Sequence, residues 1–364
     1  MLFDKLFNKQ NKNINNTNES VSEIANPELF QKTGDAMSLE YALETFIPDF
    51  VPNAPSFDKD DIRRIVLCSV ALGDISGSKY EGCPYPGLDV QEIFARSQCK
   101  EKPVYDGWGE IDLFGPGHRF TDDTVLTLAM YHATHKLVED YIHDEELIIN
   151  VYTEYLRHYF NLYPDAGFAA GFEKWALSNT NERNHSYGNG SCMRVSGIPV
   201  LCDDINSVIK YAYYSALPSH SHFEGIKGAI CTAVIYWMLI RGATKGDILG
   251  YIGKHYPITN GQKINSGTTL GDLVDMNKIN PWSTLSVVCQ TSLVEAVICF
   301  AESHSFEECL RNCYKFLCDR DTIAAIAAPM AALYHHDIKV CGESGFDIVK
   351  NYLDDKLYDD MFVK

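Results

Sequence analysis

The chain has 364 residues, 46% hydrophobic and 22% charged, the composition of an ordinary globular protein with enough apolar material for a sizeable core. Its net charge of −18 argues against a phosphate-backbone binder, because affinity for nucleic acid rests on Lys and Arg neutralising phosphates. Its twelve cysteines form no C-x-x-C pair and no Cys/His zinc spacing, which favours buried free thiols in a reducing cytoplasm over a disulfide frame.

The start, MLFDKLFNKQ, lacks the continuous apolar run of a signal peptide. Six Asn lie between Asn8 and Asn18 with few large apolar groups around them, so residues 1 to about 21 read as an arm or linker. SLEYALETFI then carries Leu39, Ala42, Leu43, Phe46 and Ile47 at helical spacing. Two prolines in FVPNAPSF break the chain, and a boundary is drawn there: an extension over 1–57 and one domain over 58–364.

DKDDIRRIVLCSVALGDISGSKYE reads as an Asp-capped helix, apolar on most faces, ending in Gly73-Asp74 and Gly77, whose four-residue spacing permits close packing. Residues 82–119, rich in Gly and Pro, form a long irregular segment. Amphipathic runs follow: DEELIINVYTEYLRHYF, INSVIKYAYYSA, residues 224–240, STLSVVCQTSLVEAVICFAES and FEECLRNCYKFL. No hairpin signal and no fixed-period repeat appears, so the expected fold is all-α, a compact orthogonal multi-helix domain. The longest apolar run, Ala229 to Ile240, is too short to span a bilayer, and no membrane partner is expected.

Two stretches concentrate hard oxygen ligands. Thr121, Asp122, Asp123 and Thr124 open one apolar helix, and Asp319, Arg320, Asp321 and Thr322 open another about two hundred residues later. Either alone reads as an N-cap with an acidic first turn. Together they suggest one site, in which each pair of carboxylates would repel by about 4 kcal/mol at ~4 Å and an effective dielectric near 20. Two divalent ions would balance four Asp charges, and an all-oxygen set suits Mg²⁺, with Mn²⁺ as the alternative, rather than zinc.

Between helices, His185-Ser186-Tyr187-Gly188-Asn189-Gly190-Ser191-Cys192 offers a backbone that a ligand can approach closely, although a plain turn has the same composition. In Ser219-His220-Ser221-His222-Phe223-Glu224, the two histidines are badly spaced for a zinc pair on one helical face. Capping by Ser and Glu, or a single histidine contacting a ligand, fits that stretch better.

In this order, GDISGSKYE, FTDDT, SYGNGSCMRV, SHSHFEGIKGA and DRDTIAAIA resemble five successive motifs of the ADP-ribosylglycohydrolase family, over roughly residues 60–336. The resemblance implies an all-α domain that binds two Mg²⁺ and cleaves ADP-ribose from a modified protein side chain. By that likeness Thr121, Asp122, Asp123, Asp319, Asp321 and Thr322 would be metal ligands. Ser186, Tyr187, Gly188, Asn189, Gly190 and Ser191 would hold the diphosphate and distal ribose, and His220 would contact the ligand. Glu81 would be a further carboxylate at the metals, and one of Asp122, Asp123, Asp321 or Glu81 would take the proton of the attacking water.

Several positions depart from the pattern: Leu317 and Cys318 replace two glycines, Arg320 stands between the last Asp pair, Phe223 replaces a proline, and Pro329 interrupts the last helix. Arg320 is expected to pair with a substrate phosphate or an acidic partner, or to point outward. All six ligand positions remain, so an active enzyme is expected. Arginine-linked ADP-ribose is the leading substrate, with serine- or O-acetyl-linked ADP-ribose as alternatives because the SYGNG loop and Glu81 also resemble serine-cleaving members. Some members are immunity proteins, which suggests a second reading: residues 1–50 would block an ADP-ribosyltransferase toxin. A structural descendant without metal is the third.

Overall fold

The structure, a computed structural model, describes residues 37–53, 58–80, 111–178, 180–257, 264–279, 284 and 286–362. Among these residues there are sixteen helices and no strand, as the sequence leads one to expect. In chain order they are α1 (Leu39–Thr45), α2 (Lys59–Ser78), α3 (Asp122–Glu139), α4 (Glu145–Leu162), α5 (Ala170–Ala176), α6 (Gly190–Met193), α7 (Ile198–Leu201) and α8 (Ile205–Ala216). Then come α9 (Phe223–Ile240), α10 (Lys245–His255), α11 (Leu270–Ile279), α12 (Cys289–Ala301), α13 (Phe306–Asn312), α14 (Arg320–His335), α15 (Gly345–Lys350) and α16 (Asp355–Phe362).

The pairing that places the site is α2 against α14. Helix α2 starts at Asp58, whose side chain accepts from Asp60 N at 2.8 Å, and Asp60 and Asp61 add charge where the helix dipole favours it. The helix does not stop at Gly73 or Gly77 but runs to Ser78. Those glycines are contact positions: a Cβ on Gly73 would lie 2.3 Å from Ala324 O, and one on Gly77 would lie 2.2 Å from Asp321 Cα. Opposite them α14 presents small residues, with Ala324, Ala325, Ala327 and Ala328 fully buried, so two backbones approach without side chains between them. Helix α14 continues through Pro329 rather than breaking there. Proline removes one helical N–H, and packing against α2, α9, α12 and α13 holds the helix together around that gap.

Helix α9 is 18 residues long, longer than the apolar run within it, and is long and apolar enough to cross a membrane by length and composition. In this fold 78% of it is buried, among α6, α8, α12 and α14, and Tyr236 Oη on it donates to Ile326 O of α14 at 2.8 Å. Helix α12 begins only at Cys289, because Val287 and Val288 ahead of it pair with the loop at Gly188 and Asn189. The stretch at 37–53 docks on the same core. Met37, Ala42 and Phe46 are buried, Tyr213 Oη donates to Met37 O at 2.9 Å, and Tyr251 Oη donates to Phe46 O at 3.1 Å. Ten cysteines fall among the described residues, all as free thiols; nine are buried and Cys341 is exposed.

Candidate active site

The first turn of α3 is organised from α2. Thr121 is the N-cap residue, with extended φ −128° and ψ −165°, yet its hydroxyl makes no capping bond to its own helix. The cap is supplied by Asp74, buried near the C-terminal end of α2. Its Oδ2 accepts from Thr121 N at 2.8 Å and Thr124 N at 3.1 Å, its Oδ1 accepts from Thr121 Oγ1 at 2.6 Å, and Thr124 Oγ1 also donates to Oδ2. Three donors crowd Oδ2 and one reaches Oδ1, so Oδ1 keeps acceptor capacity toward the acidic cluster. With its hydroxyl proton committed to Asp74, Thr121 Oγ1 keeps lone pairs for another partner.

The mouth of α14 meets this turn. Thr322 Oγ1 donates to Asp123 Oδ2 at 3.3 Å, so the two acidic helix starts, far apart in sequence, face each other. Asp321 Oδ1 accepts from Thr322 N at 3.0 Å, and oxygens of Asp74, Asp123 and Asp321 lie within 4.8 Å of one another. Asp319 Oδ2 accepts from Asn189 Nδ2 at 2.8 Å, and the same amide donates to Ser292 Oγ of α12 at 3.1 Å. Asp122 sits half-buried at the start of α3. Arg320 does not point outward. It is fully buried, and its guanidinium donates to Tyr80 O at 3.1 Å, just past the end of α2, and to Phe316 O at 3.4 Å.

The glycine loop lies beside the acidic cluster, joined to it through Asn189. Two isolated bridges, Gly188 to Val288 and His185 to His220, clamp it. Asn189 N donates to Val287 O at 2.9 Å, Cys289 N donates to Tyr187 O at 3.1 Å, and Gly188 N donates to Ser186 Oγ at 3.0 Å. His220 Nε2 lies against the loop: a Cβ on Gly190 would come within 3.1 Å of it and one on Gly188 within 3.8 Å. Tyr187 is exposed, with its ring 5.0 Å from that of His222. Ser191 turns away from the loop, buried, with its Oγ donating to Gly225 O at 2.8 Å. The cap of α9 is His222 itself, whose Nδ1 accepts from Glu224 N at 3.1 Å, and neither Ser221 nor the Glu224 side chain supplies it. Glu81 lies outside the described residues.

This constellation coincides with a sequence match. A family model described as ADP-ribosylglycohydrolase matches residues 58–337. The chain belongs to the ADP-ribosylglycohydrolase family. It is 24% identical over 321 residues to ADP-ribosylhydrolase ARH3 of Mus musculus, covering 75% of this chain and 83% of that protein. The Homo sapiens ADP-ribosylhydrolase ARH3 is 23% identical, covering 75% and 85%. A solved structure titled "ADP-ribosylglycohydrolase-related protein complex" aligns with a TM-score of 0.52 at 19% identity, over 84% of this chain and 98% of that one, a likeness of fold. The protein is accordingly a hydrolase acting on ADP-ribose.

The donor set of this glycohydrolase fits a hard cation. It is all oxygen, and the buried Asp123 Oδ1 has no hydrogen-bond partner in the protein. Burial, then the charges of Asp74, Asp122 and Asp319, hold the Asp123 carboxyl well above the ordinary Asp value of 3.8. Burial also raises Asp74 against its four donors, and Asp319 against the Asn189 amide. Behind them sits a carboxyl that the sequence reading passed over, Glu295 of α12. It is fully buried, neither of its oxygens has a partner, and it is raised well above the usual range by burial first and then by Asp319.

A pH prediction follows from the raised Asp123, whose folded form holds its proton to a higher pH than the unfolded chain does. Stability linked to it is full below the unfolded value near 3.8 and is lost as pH rises through the folded value. In chelator the unfolding temperature should therefore fall from about pH 4 toward neutrality, and Mg²⁺ should flatten that slope. Thermal scans of the parent and of Asp123→Asn, with EDTA or Mg²⁺, check it. A parent slope unchanged in the variant would remove Asp123 as its source.

Proposed function

We propose that the protein is a Mg²⁺-dependent hydrolase that releases ADP-ribose from modified protein side chains, with arginine as the acceptor. The observation that carries this reading is the meeting of the two acidic helix mouths beside the glycine loop, with Asn189 bonded to Asp319 across the join. Thr121, Asp122, Asp123, Asp319, Asp321 and Thr322 would hold two Mg²⁺, with Mn²⁺ as a substitute. When bound, such ions supply Lewis acidity, charge neutralisation and a more acidic water.

The chain's own residues do the rest. Asp74 fixes the hydroxyl of Thr121 by accepting its hydrogen bond. Gly188 and Gly190, having no Cβ, open room for a diphosphate next to His220 Nε2. An anionic diphosphate is repelled by the acidic cluster, which favours placing it on the loop and turning the ribose and its scissile bond toward the carboxylates. The buried Asp carboxylates are the groups within reach to accept the proton of the attacking water.

Serine-linked ADP-ribose is the second reading, favoured by the Ser186–Gly190 sequence, which resembles that of serine-cleaving members. The blocking reading gains nothing here, since residues 37–50 of the segment it needs are packed on the core. The deciding assay is release of ADP-ribose from arginine-modified and serine-modified protein with Mg²⁺ or EDTA. Release from the arginine substrate in Mg²⁺ alone is expected. Release undiminished by EDTA would remove the metal, and release from the serine substrate alone would transfer the assignment to serine.

A further inference from the structure

Arg194 is a buried cation that the mechanism above does not use. It is fully buried, leaves Nε and Nη1 without a hydrogen-bond partner among the described residues, and donates through Nη2 to Ser215 O at 3.0 Å and to Ser219 Oγ at 2.9 Å. Ser219, also fully buried, places its Oγ 2.8 Å from His220 Nδ1. The other face of that imidazole, at Nε2, looks onto the side of Gly188 and Gly190 where a Cβ would be.

Proton counting along this chain leaves one arrangement. A guanidinium only donates, so Ser219 Oγ accepts from Arg194. The hydroxyl has one proton, and among the described residues the only other polar atom paired with it is His220 Nδ1. Were Nδ1 protonated, two donors would converge on the oxygen and a buried hydroxyl proton would have no acceptor, the costly case. Nδ1 is therefore the acceptor, and the ring proton sits on Nε2. Burial first, and then the Arg194 charge, push the His220 value well below that of an ordinary histidine, so the ring stays neutral with a single proton to offer.

We propose that Arg194 and Ser219 are positioning residues that lock His220 as an Nε2–H donor aimed at the Gly188–Gly190 backbone, where it donates to an acceptor oxygen of bound ADP-ribose. Only the identity of that ligand rests on the proposed function; the relay stands on the geometry alone. The arrangement explains why the fold retains a buried cation at Arg194, where an apolar residue would fill the space at less cost. It also assigns Gly190 a reason, since a side chain there would press on the donor nitrogen.

The test uses the full chain with ¹⁵N-labelled histidine, and His220→Gln identifies the resonances. In the ligand-free parent, His220 should show a pyridine-like Nδ1 and a pyrrole-like Nε2 that hold across neutral pH. Ser219→Ala should let the tautomers mix and weaken ADP-ribose binding by about tenfold, while Ser219→Thr, which keeps a hydroxyl, should restore both. A parent ring protonated on Nδ1, or a tautomer unmoved in Ser219→Ala, overturns the relay whatever the protein hydrolyses. If ADP-ribose binds without shifting Nε2, the donor role falls and the hydrolase reading stands. If the tautomer is as stated and ADP-ribose does not bind even with Mg²⁺, the relay stands and the substrate assignment falls.

Discussion

Asp123→Asn should lower ADP-ribose release by about a thousandfold, and in chelator the variant should be at least as stable as the parent. The two halves have opposite signs for one reason. Asp123 is crowded by like charge, with Asp74, Asp122 and Asp319 all raising its proton affinity on top of burial. Oxygens of Asp74, Asp123 and Asp321 lie within 4.8 Å of one another, and at that distance one pair of charges repels by about 3.5 kcal/mol at an effective dielectric near 20. An amide of the same shape removes that repulsion and can still accept from Thr322 Oγ1. It also removes the buried, unpartnered Oδ1 that a cation needs.

Calorimetric titration with Mg²⁺ or Mn²⁺, thermal scans with and without chelator, and single-turnover release of ADP-ribose read the three consequences separately. Full activity in the variant would end the metal assignment. A variant in chelator that unfolds several degrees below the parent would mean that Asp123 is satisfied without a cation, against its orphaned oxygen. Asp321→Asn provides the comparison from the other helix. Its oxygen lies in the same set, and its loss should match that of Asp123 in activity.

What the sequence made legible was local chemistry with a periodic signature. The helical stripes from Leu39, Ile205 and Phe223 appear as helices, and the two oxygen-rich helix starts were visible because Thr and Asp clusters before apolar runs are rare twice over in one chain. The resemblance then supplied an order for the motifs. What stayed hidden depended on partners distant in sequence. In the sequence Asp74 stands with Gly73 at an expected helix end, although its donors lie 47 and 50 residues away. An Asp inside an otherwise apolar helical face was the available signal. Glu295, within SLVEAVICF, gives the same signal.

Of the contacts that a charged residue between two acids suggests for Arg320, a substrate phosphate, an acidic partner or solvent, burial removes the last. Its partners include the carbonyl of Phe316, four residues back, and that of Tyr80, which the packing of α14 on α2 brings within reach. His222 as a cap, and Ser191 bonded to Gly225 O, are likewise settled by backbone direction, which composition does not encode. Helix ends were the least legible feature. Helix α13 stops at Asn312, short of the apolar CYKFL segment, and α12 starts late because two of its expected residues pair with the glycine loop.

Gly77→Ala should be the most damaging single-methyl change at the α2–α14 contact, destabilising by about 3 kcal/mol or more and lowering ADP-ribose release by about a hundredfold in whatever fraction folds. The added Cβ would lie 2.2 Å from Asp321 Cα and N and 2.6 Å from Arg320 C, all backbone atoms that no rotamer can move aside. Carbon atoms in ordinary contact sit about 3.5–4.0 Å apart, so α14 must retreat by more than ~1 Å. That retreat carries Asp321 away from Asp123 while Asp74, anchored to the α3 turn, stays with α2. Stability and site geometry therefore fail together.

Alanine has the higher helix propensity, by about 1 kcal/mol, so a net loss must come from the clash. Gly250→Ala on α10 isolates that term: position 250 is exposed, a Cβ there meets nothing within 4 Å, and it should stabilise by about 0.5–1 kcal/mol with activity unchanged. Denaturant unfolding of both variants, with metal titration of the folded Gly77→Ala protein, reads the two effects apart. If Gly77→Ala behaves like Gly250→Ala, the backbones of α2 and α14 do not touch at Asp321, and the close approach that brings the two acidic helix mouths together has another origin.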